Sequence, residues 1–218
     1  MQRSFPFNGG IMEQIKPEYR FDNLKSWEEF LSGQQKHLDK IAVLDLPRAT
    51  PVVLREVAFH RVALCGETTA IIDTPDREQI IVKDRATVVV LRGNVLAKGI
   101  SRVFLFGTAS AECTNRASAY ALEESNAVLR QSSVAWLYGE AGATLKDKAV
   151  AFIGEYASVN GEDESRVCDM GTTGCITLIL SEHPICQAGW IAKGKYVRSR
   201  KEAQRLLAWA REQLEKTE

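Results

Sequence analysis

From Arg92 to Val159 small, apolar and polar residues recur in a unit of eight that never slips register. Units begin at Arg92, Ile100, Thr108, Arg116, Glu124, Ser132, Glu140, Lys148 and Tyr156. The second position is always small: Gly93, Ser101, Ala109, Ala117, Ser125, Ser133, Ala141, Ala149 and Ala157. The fourth is always Ala or Val, from Val95 and Val103 through Ala111, Ala119, Ala127, Ala135, Ala143 and Ala151 to Val159. The sixth is apolar in every unit from Ala97 to Ile153, and the eighth is mostly a turn former such as Gly99, Gly107, Asn115, Gly139 or Asp147. Apolar residues at alternate positions line one face of a strand. Spread over a helix, positions two, four and six of eight make no stripe. The pattern therefore predicts short strands joined by tight turns.

A slower rhythm overlies the first. The outward fifth position is Phe104, Tyr120, Trp136 and Phe152 in every second unit, against Leu96, Glu112, Val128 and Thr144 in the others. The seventh splits likewise, with Phe106, Leu122, Tyr138 and Gly154 against Lys98, Thr114, Arg130 and Lys146. The two rhythms predict a mainly β fold: a β-solenoid (β-helix) of about sixteen residues per two-stranded coil, with equivalent residues about 4.8 Å apart. One sheet presents an apolar outer face, the other a polar and basic one.

Flanking segments are less periodic. Ser26-Trp-Glu-Glu29 has the form of a capping box, and Trp27, Phe30, Leu31, Leu38 and Ile41 make a rough helical stripe. Ser199-Arg-Lys-Glu202 opens a second helix with Ala203, Leu206, Leu207, Ala210 and Leu214 on one face. The expected order is an irregular leader (1–24), an N-terminal helix (25–41), irregular opening strands of the solenoid shifted by a residue where they join Arg92 (42–91), the regular octad-repeat solenoid (92–159), a capping loop and strands (160–198) and a C-terminal helix (199–218). The helices and the 160–198 segment are natural caps for the exposed end rungs.

Thr108-Ala-Ser-Ala-Glu-Cys-Thr-Asn115, Arg116-Ala-Ser-Ala-Tyr-Ala-Leu-Glu123 and Lys148-Ala-Val-Ala-Phe-Ile-Gly-Glu155 resemble the units of the octapeptide-repeat β-solenoid proteins of bacteria and phages. The likeness covers about a third of the chain. It implies architecture first, and at fold level a phage or prophage accessory role such as inhibiting a host protein. Hexapeptide and pentapeptide solenoids have other periods, and the outward Thr rows of ice-binding solenoids are missing.

Composition narrows the function classes. Lys plus Arg and Asp plus Glu are both 28, so the net charge is zero and no whole-chain attraction to nucleic acid arises. No apolar run approaches the ~18 residues of a membrane span. The N-terminus lacks the apolar core of a secretory signal. Five cysteines form an odd, sparse set, which points to a reducing cytoplasm.

The apolar outer face (Phe104, Phe106, Tyr120, Leu122, Trp136, Tyr138, Phe152) is too large to stay bare on a soluble monomer. It is the first candidate for partner binding, covered by the chain's own helices, by a second copy in a homodimer or homo-oligomer, or by another protein. Lys193, Lys195, Arg198, Arg200 and Lys201, with Arg205 beyond them, form a basic patch entering the terminal helix, where positive charge opposes the helix dipole. A protein or self partner is expected, and nucleic acid is not. Cys168, Cys175, His183 and Cys186 carry zinc-type ligands but lack the paired Cys-x2-Cys spacing, so no metal or cofactor is expected. His60 and Cys65, five residues apart, fall on opposite faces of a regular strand and make a poor catalytic pair; His37 stands alone. Gly171-Thr-Thr-Gly174 lacks the lysine of a phosphate loop, and the carboxylates of Glu162–Glu164 suit a solvated loop. The chain is expected to be a non-enzymatic interaction protein. The alternatives are a self-assembling scaffold and a zinc or enzymatic site around Cys168–Cys186.

Overall fold

Each octad contributes one strand of four residues, and among the described residues a left-handed residue closes the turn that follows it. The computed structural model describes residues 19–32, 37–55, 59–75, 79–154, 156–170, 185–187 and 190–216, with backbone alone at 37–40, 59–60, 185–187 and 190–193. Strand β1 (Tyr19–Phe21) leads into a short helix, α1 (Leu24–Ser32). Strands β2 (His37–Leu44), β3 (Val52–Leu54), β4 (Phe59–Leu64), β5 (Thr69–Asp73), β6 (Gln79–Val82) and β7 (Thr87–Arg92) form the opening coils. The regular strands follow: β8 (Asn94–Ala97), β9 (Arg102–Leu105), β10 (Ser110–Cys113), β11 (Ser118–Ala121) and β12 (Asn126–Leu129). They continue as β13 (Val134–Leu137), β14 (Gly142–Leu145), β15 (Val150–Ile153), β16 (Ser158–Gly161) and β17 (Arg166–Asp169). A last strand, β18 (Ile185–Gln187), precedes a long helix, α2 (Trp190–Glu215).

The strands alternate between two parallel nine-stranded sheets. Sheet I runs β1-β2-β4-β6-β8-β10-β12-β14-β16, and sheet II runs β3-β5-β7-β9-β11-β13-β15-β17-β18. Ala111 pairs with Ala127 and Ala127 with Ala143, so each regular coil is sixteen residues long. In the opening coils the step is eighteen, as in Val62 with Ile80 and Ala70 with Val88. At the junction it falls to fifteen, Ile80 with Val95 and Val88 with Val103, which is the one-residue shift expected near Arg92. Gly93 makes that tight junction possible. Its φ is +113°, and a Cβ there would stand 2.9 Å from the backbone oxygen of Thr74.

The core is a thin slab filled by the inward fourth and sixth positions, nearly all of them fully buried. Small residues at the second position stay at 0% exposure against the turns at Ser101, Ala109, Ala117, Ser125, Ser133, Ala141, Ala149 and Ala157. Eighth-position residues adopt the left-handed conformation whether or not they are glycine: φ is +61° at Asn115, +58° at Gln131 and +57° at Asp147 and Asp163. The first three are braced from the next coil. Asn115 N–H donates to Gln131 Oε1 (2.8 Å), Gln131 N–H to Asp147 Oδ2 (2.9 Å) and Asp147 N–H to Asp163 Oδ2 (3.1 Å). These bonds offset the ~1–2 kcal/mol that a left-handed residue costs.

Three boundaries differ from the sequence expectation. The helix foreseen over 25–41 is only Leu24–Ser32, and His37–Leu44 is a strand whose Ala42 and Leu44 enter the core. Asn23, not Ser26, caps α1, accepting the Ser26 N–H at 2.9 Å. Trp27 is 1% exposed and packs edge-on against Phe21, so α1 closes the first rungs. The acidic segment Asn160–Ser165 is no loop. It carries the end of β16 and a regular turn, and the octads continue to Met170. Gly161 and Asp169 occupy inward apolar slots there, which hid the repeat. Helix α2 starts nine residues before Ser199, whose hydroxyl donates to Lys195 O (2.7 Å) from within the helix. Packing against sheet II, rather than a cap, sets where that helix runs. Residues 1–18 of the expected leader lie outside the described residues.

Candidate functional site

Alternation along each strand sends the fifth and seventh positions outward, so the two sheets present two separate candidate surfaces. On sheet II the rings stack in register. Phe104 lies on Tyr120 at 4.6 Å and 12°, and Trp136 on Phe152 at 4.1 Å and 10°. Phe104, Phe106, Tyr120, Leu122, Trp136 and Tyr138 are all buried, and Phe152 is half-buried.

Helix α2 provides the cover. Tyr196, Ala203 and Ala210 are buried with the ladder, and Leu206, Leu207, Trp209 and Leu214 pack beside them. The helix runs back along the stack. Tyr196 meets Trp136 and Tyr138 on and beside β13, Glu202 meets Arg102 on β9, and Leu214 O accepts Arg55 Nη2 (2.9 Å) beyond β3. From Tyr196 to Leu214 the helix rises about 27 Å, close to the ~24 Å of five strand steps from β13 to β3. The aromatic ladder singled out for partner binding is thus an interface within the chain.

Two polar locks set the helix in place. Tyr138 Oη donates to Tyr196 O (3.1 Å), and Tyr196 Oη donates to Leu137 O (2.6 Å). Burial pushes the Tyr138 hydroxyl well above its ordinary range. Arg102 Nη2 donates to Glu202 Oε1 (2.8 Å), while its guanidinium sits 5.2 Å from the Phe104 ring and 5.5 Å from that of Tyr120. Burial works against this cation. Its hydrogen bond to Glu202 and the neighbouring Tyr120 outweigh burial and raise its pKa.

Sheet I is different. Its outward residues Ala63, Ile81 and Leu96 are buried, but from β10 onward Glu112, Val128, Thr144 and Asn160 are half-exposed. Charges on this side and its turns pair between coils. Arg130 Nε lies 2.7 Å from Glu112, Lys146 3.0 Å from Glu162, and Lys148 3.5 Å from Glu164. The carboxylates of Glu162 and Glu164 are therefore held by lysines of the preceding coil, and that of Asp163 by the Asp147 N–H.

No protein family, curated protein or solved structure matches this chain. What it can do must come from its own surfaces. No helix among the described residues is long and apolar enough to cross a membrane.

The remaining candidates scatter. Cys113 is an inward core residue, its thiol pushed up to about 12 by burial and by the nearby Glu112. Cys65, half-buried past the end of β4, is also raised, by burial and then by Asp84 and Asp45, the opposite of what a nucleophile needs. Cys168 and Cys186 are register partners on β17 and β18. Cys175, His183 and Gly171–Gly174 lie outside the described residues, as do the side chains of His37, His60, Cys186 and Lys193. Among the described residues no three His, Cys, Asp or Glu side chains gather as a metal site requires. Lys195, Arg198 and Lys201 are exposed on α2, with Lys195 Nζ 5.3 Å over the Trp136 ring, while Arg200 is half-buried.

Sequence reasoning missed part of the covered face. Ile71 and Val89 on the opening coils and Met170 at the far end extend the outward apolar rows under α2. The signal was present in Ala70-Ile-Ile72 and Val88-Val-Val90. Unbroken apolar runs mark strands covered on both faces, whereas alternation marks strands covered on one.

Proposed function

We propose that the chain is a non-enzymatic interaction protein whose β-solenoid presents a rigid surface to a partner protein. The observation that carries this reading is the in-register stacking of side chains on sheet I from β10 to β16. Glu112, Val128, Thr144 and Asn160 stand in a row about 4.8 Å apart, tied at its edge by ion pairs between coils. Such a face is ordered before a partner arrives, so little side-chain entropy is lost on binding. The interior is filled by Ala, Val and Leu, which leaves recognition to the outer faces. With the ladder occupied by α2, sheet I and the outer side of α2 become the working surfaces.

The resemblance to octapeptide-repeat solenoids of bacteria and phages supports extending the proposal to a phage or prophage accessory role, in which occupying a host protein inhibits it. The free thiols of Cys65 and Cys113 fit a reducing cytoplasm. The test is capture by the immobilised full chain beside a Glu112→Arg/Thr144→Arg variant of unchanged melting temperature. A protein held by the parent and lost from the variant supports the reading. Equal retention, or none, removes sheet I as the working surface. A mass that rises with concentration in light scattering turns the reading toward a self-assembling scaffold.

A further inference from the structure

Along the solenoid six cations pair with carboxylates of a neighbouring coil: Arg20 with Asp45, Arg85 with Glu67, Arg92 with Asp73, Arg130 with Glu112, Lys146 with Glu162 and Lys148 with Glu164. Exposed Arg61, Arg116 and Arg166, spread over separate coils, form no ion pair among the described residues. Helix α2 gathers such cations on one element. Between Gly194 and Arg211 it carries six cations and one carboxylate, Glu202, which is spent on Arg102. Lys195, Arg198, Lys201, Arg205 and Arg211 are exposed, and none forms an ion pair with a carboxylate among the described residues.

Arg198, Lys201 and Arg205 stand at i, i+3 and i+7, so they line one stripe of the helix, away from buried Tyr196, Ala203 and Ala210. Like charges at this spacing weaken a helix. Folding gains nothing from the arrangement, and a local rule broken without compensation marks a surface kept for a ligand.

We infer that the outer face of α2 binds the phosphodiester backbone of double-stranded nucleic acid without reading its sequence. This rests on the reading of the chain as an interaction module and names one partner for it. Around the stripe lie Gln204 and Ala208, with Val197 the one exposed large apolar residue among the described residues of the helix. Protein-binding centres are rich in aromatics and Arg and poor in lysine, whereas phosphate contacts are made by Arg, Lys and Gln; the stripe carries no aromatic residue. Among the described residues the apolar side of α2 is occupied by sheet II, and only Val197 is left exposed, too little apolar surface to enter a lipid layer. A duplex presents one negative charge per ~1.7 Å of axis, a continuous complement to the row.

The test uses the full chain and a fluorescent 30-base-pair duplex of arbitrary sequence, titrated at 50 and 200 mM salt, with poly-glutamate as competitor. Engagement of about four phosphates predicts that affinity falls about a hundredfold between the two salts. In Arg198→Gln/Lys201→Gln/Arg205→Gln the fall shrinks to about threefold. That variant removes like-charge repulsion, so its melting temperature should not drop. Glu212→Gln, which deletes an exposed carboxylate near the stripe, should tighten binding, a gain that misfolding cannot produce. No binding at 50 mM salt, binding indifferent to the triple substitution, or equal displacement by poly-glutamate at matched charge overturns the inference. None of these results bears on a protein captured through Glu112 and Thr144, so the module reading stands or falls separately.

Discussion

Sheets I and II are built from the same octad on the same backbone and differ only in what their strands turn outward. Sheet II sends out Phe104, Tyr120, Trp136 and Phe152 and is roofed by α2. Sheet I sends out Glu112, Val128, Thr144 and Asn160 and from β10 onward meets solvent. The inward positions are nearly interchangeable between them, mostly Ala, Val and Leu at or near zero exposure. The repeat therefore dictates the coil, and the outward rows dictate what the coil touches. One sheet has two cores, one on each side; the other has one core and a surface. A change at a matched outward position should thus cost very different amounts on the two sides.

The largest contrast is expected from a buried charge under the roof. Ala203 is at 0% exposure in α2, so Ala203→Asp places a carboxylate against the ladder with no partner, and several kcal/mol, about 3–5, should be lost. Trp136→Ala, 3% exposed beneath the same helix, should lose a similar ~3–5 kcal/mol. Thr144→Asp on sheet I should stay within about 0.5 kcal/mol. Urea denaturation of the three variants decides it. If Ala203→Asp unfolds at the parent's midpoint, α2 does not cover sheet II in solution.

A smaller contrast separates two glycine turns. Gly93 holds φ +113° with a Cβ position 2.9 Å from Thr74 O, backbone that cannot step aside, so Gly93→Ala should cost about 1–3 kcal/mol. Gly107 holds φ +57°, the conformation Asn115 adopts at +61°, and its Cβ position has only ordinary contacts. Gly107→Asn should stay within about 0.5 kcal/mol, since Asn tolerates the left-handed region. Equal melting temperatures for the two variants would mean that the fifteen-residue junction at Gly93 has no special strain.

These two turns also show how far the chain could be understood before its structure. The octads from Arg92 declare themselves because every slot repeats, and the sixteen-residue coil follows from the aromatic alternation. The opening coils do not, because steps of twenty and eighteen residues break any fixed period while β2, β4 and β6 still stack in register. The continuation through β16 and β17 was hidden by Gly161 and Asp169 in slots that are elsewhere apolar. The identity of the ladder's cover was not decidable from pattern alone. The stripe of Leu206, Leu207 and Leu214 made α2 a candidate, but a second copy could have presented the same chemistry. Contacts of Tyr196 and Glu202 settle the matter in space, and no periodicity encodes them.

Alkaline pH should probe both buried layers, the slab between the sheets through Cys113 and the α2 interface through Tyr138. Cys113 and Tyr138 each have a folded pKa above the unfolded one, so their neutral forms are favoured by folding, and the stability they contribute is complete below the unfolded value and lost above it. For Cys113 the loss begins near pH 9 and runs to about 12, at most about 1.4 kcal/mol per pH unit. Tyr138 adds to the slope above pH 10. Denaturation of Cys113→Ala against the parent at pH 8 to 10 should show a flatter curve in the variant. Parallel curves would mean that the thiol is not held neutral.

The smallest effect bears most directly on whether sheet I is a preformed surface. Arg130 and Glu112 have side chains 41% and 19% exposed, and both stand on stacked coils whose backbones fix their separation. Lys148 and Glu164 are 71% and 75% exposed at a turn. A double-mutant cycle on the first pair should give a coupling of about 0.2–1 kcal/mol, and one on the second should be indistinguishable from zero. Raising the salt should shrink the first coupling only partly, because less of it is open to solvent. If both pairs couple equally weakly, the side chains of sheet I are as free as any surface residues. The solenoid would then offer a partner no ordering advantage, and the argument for sheet I as the binding face would lose its physical basis.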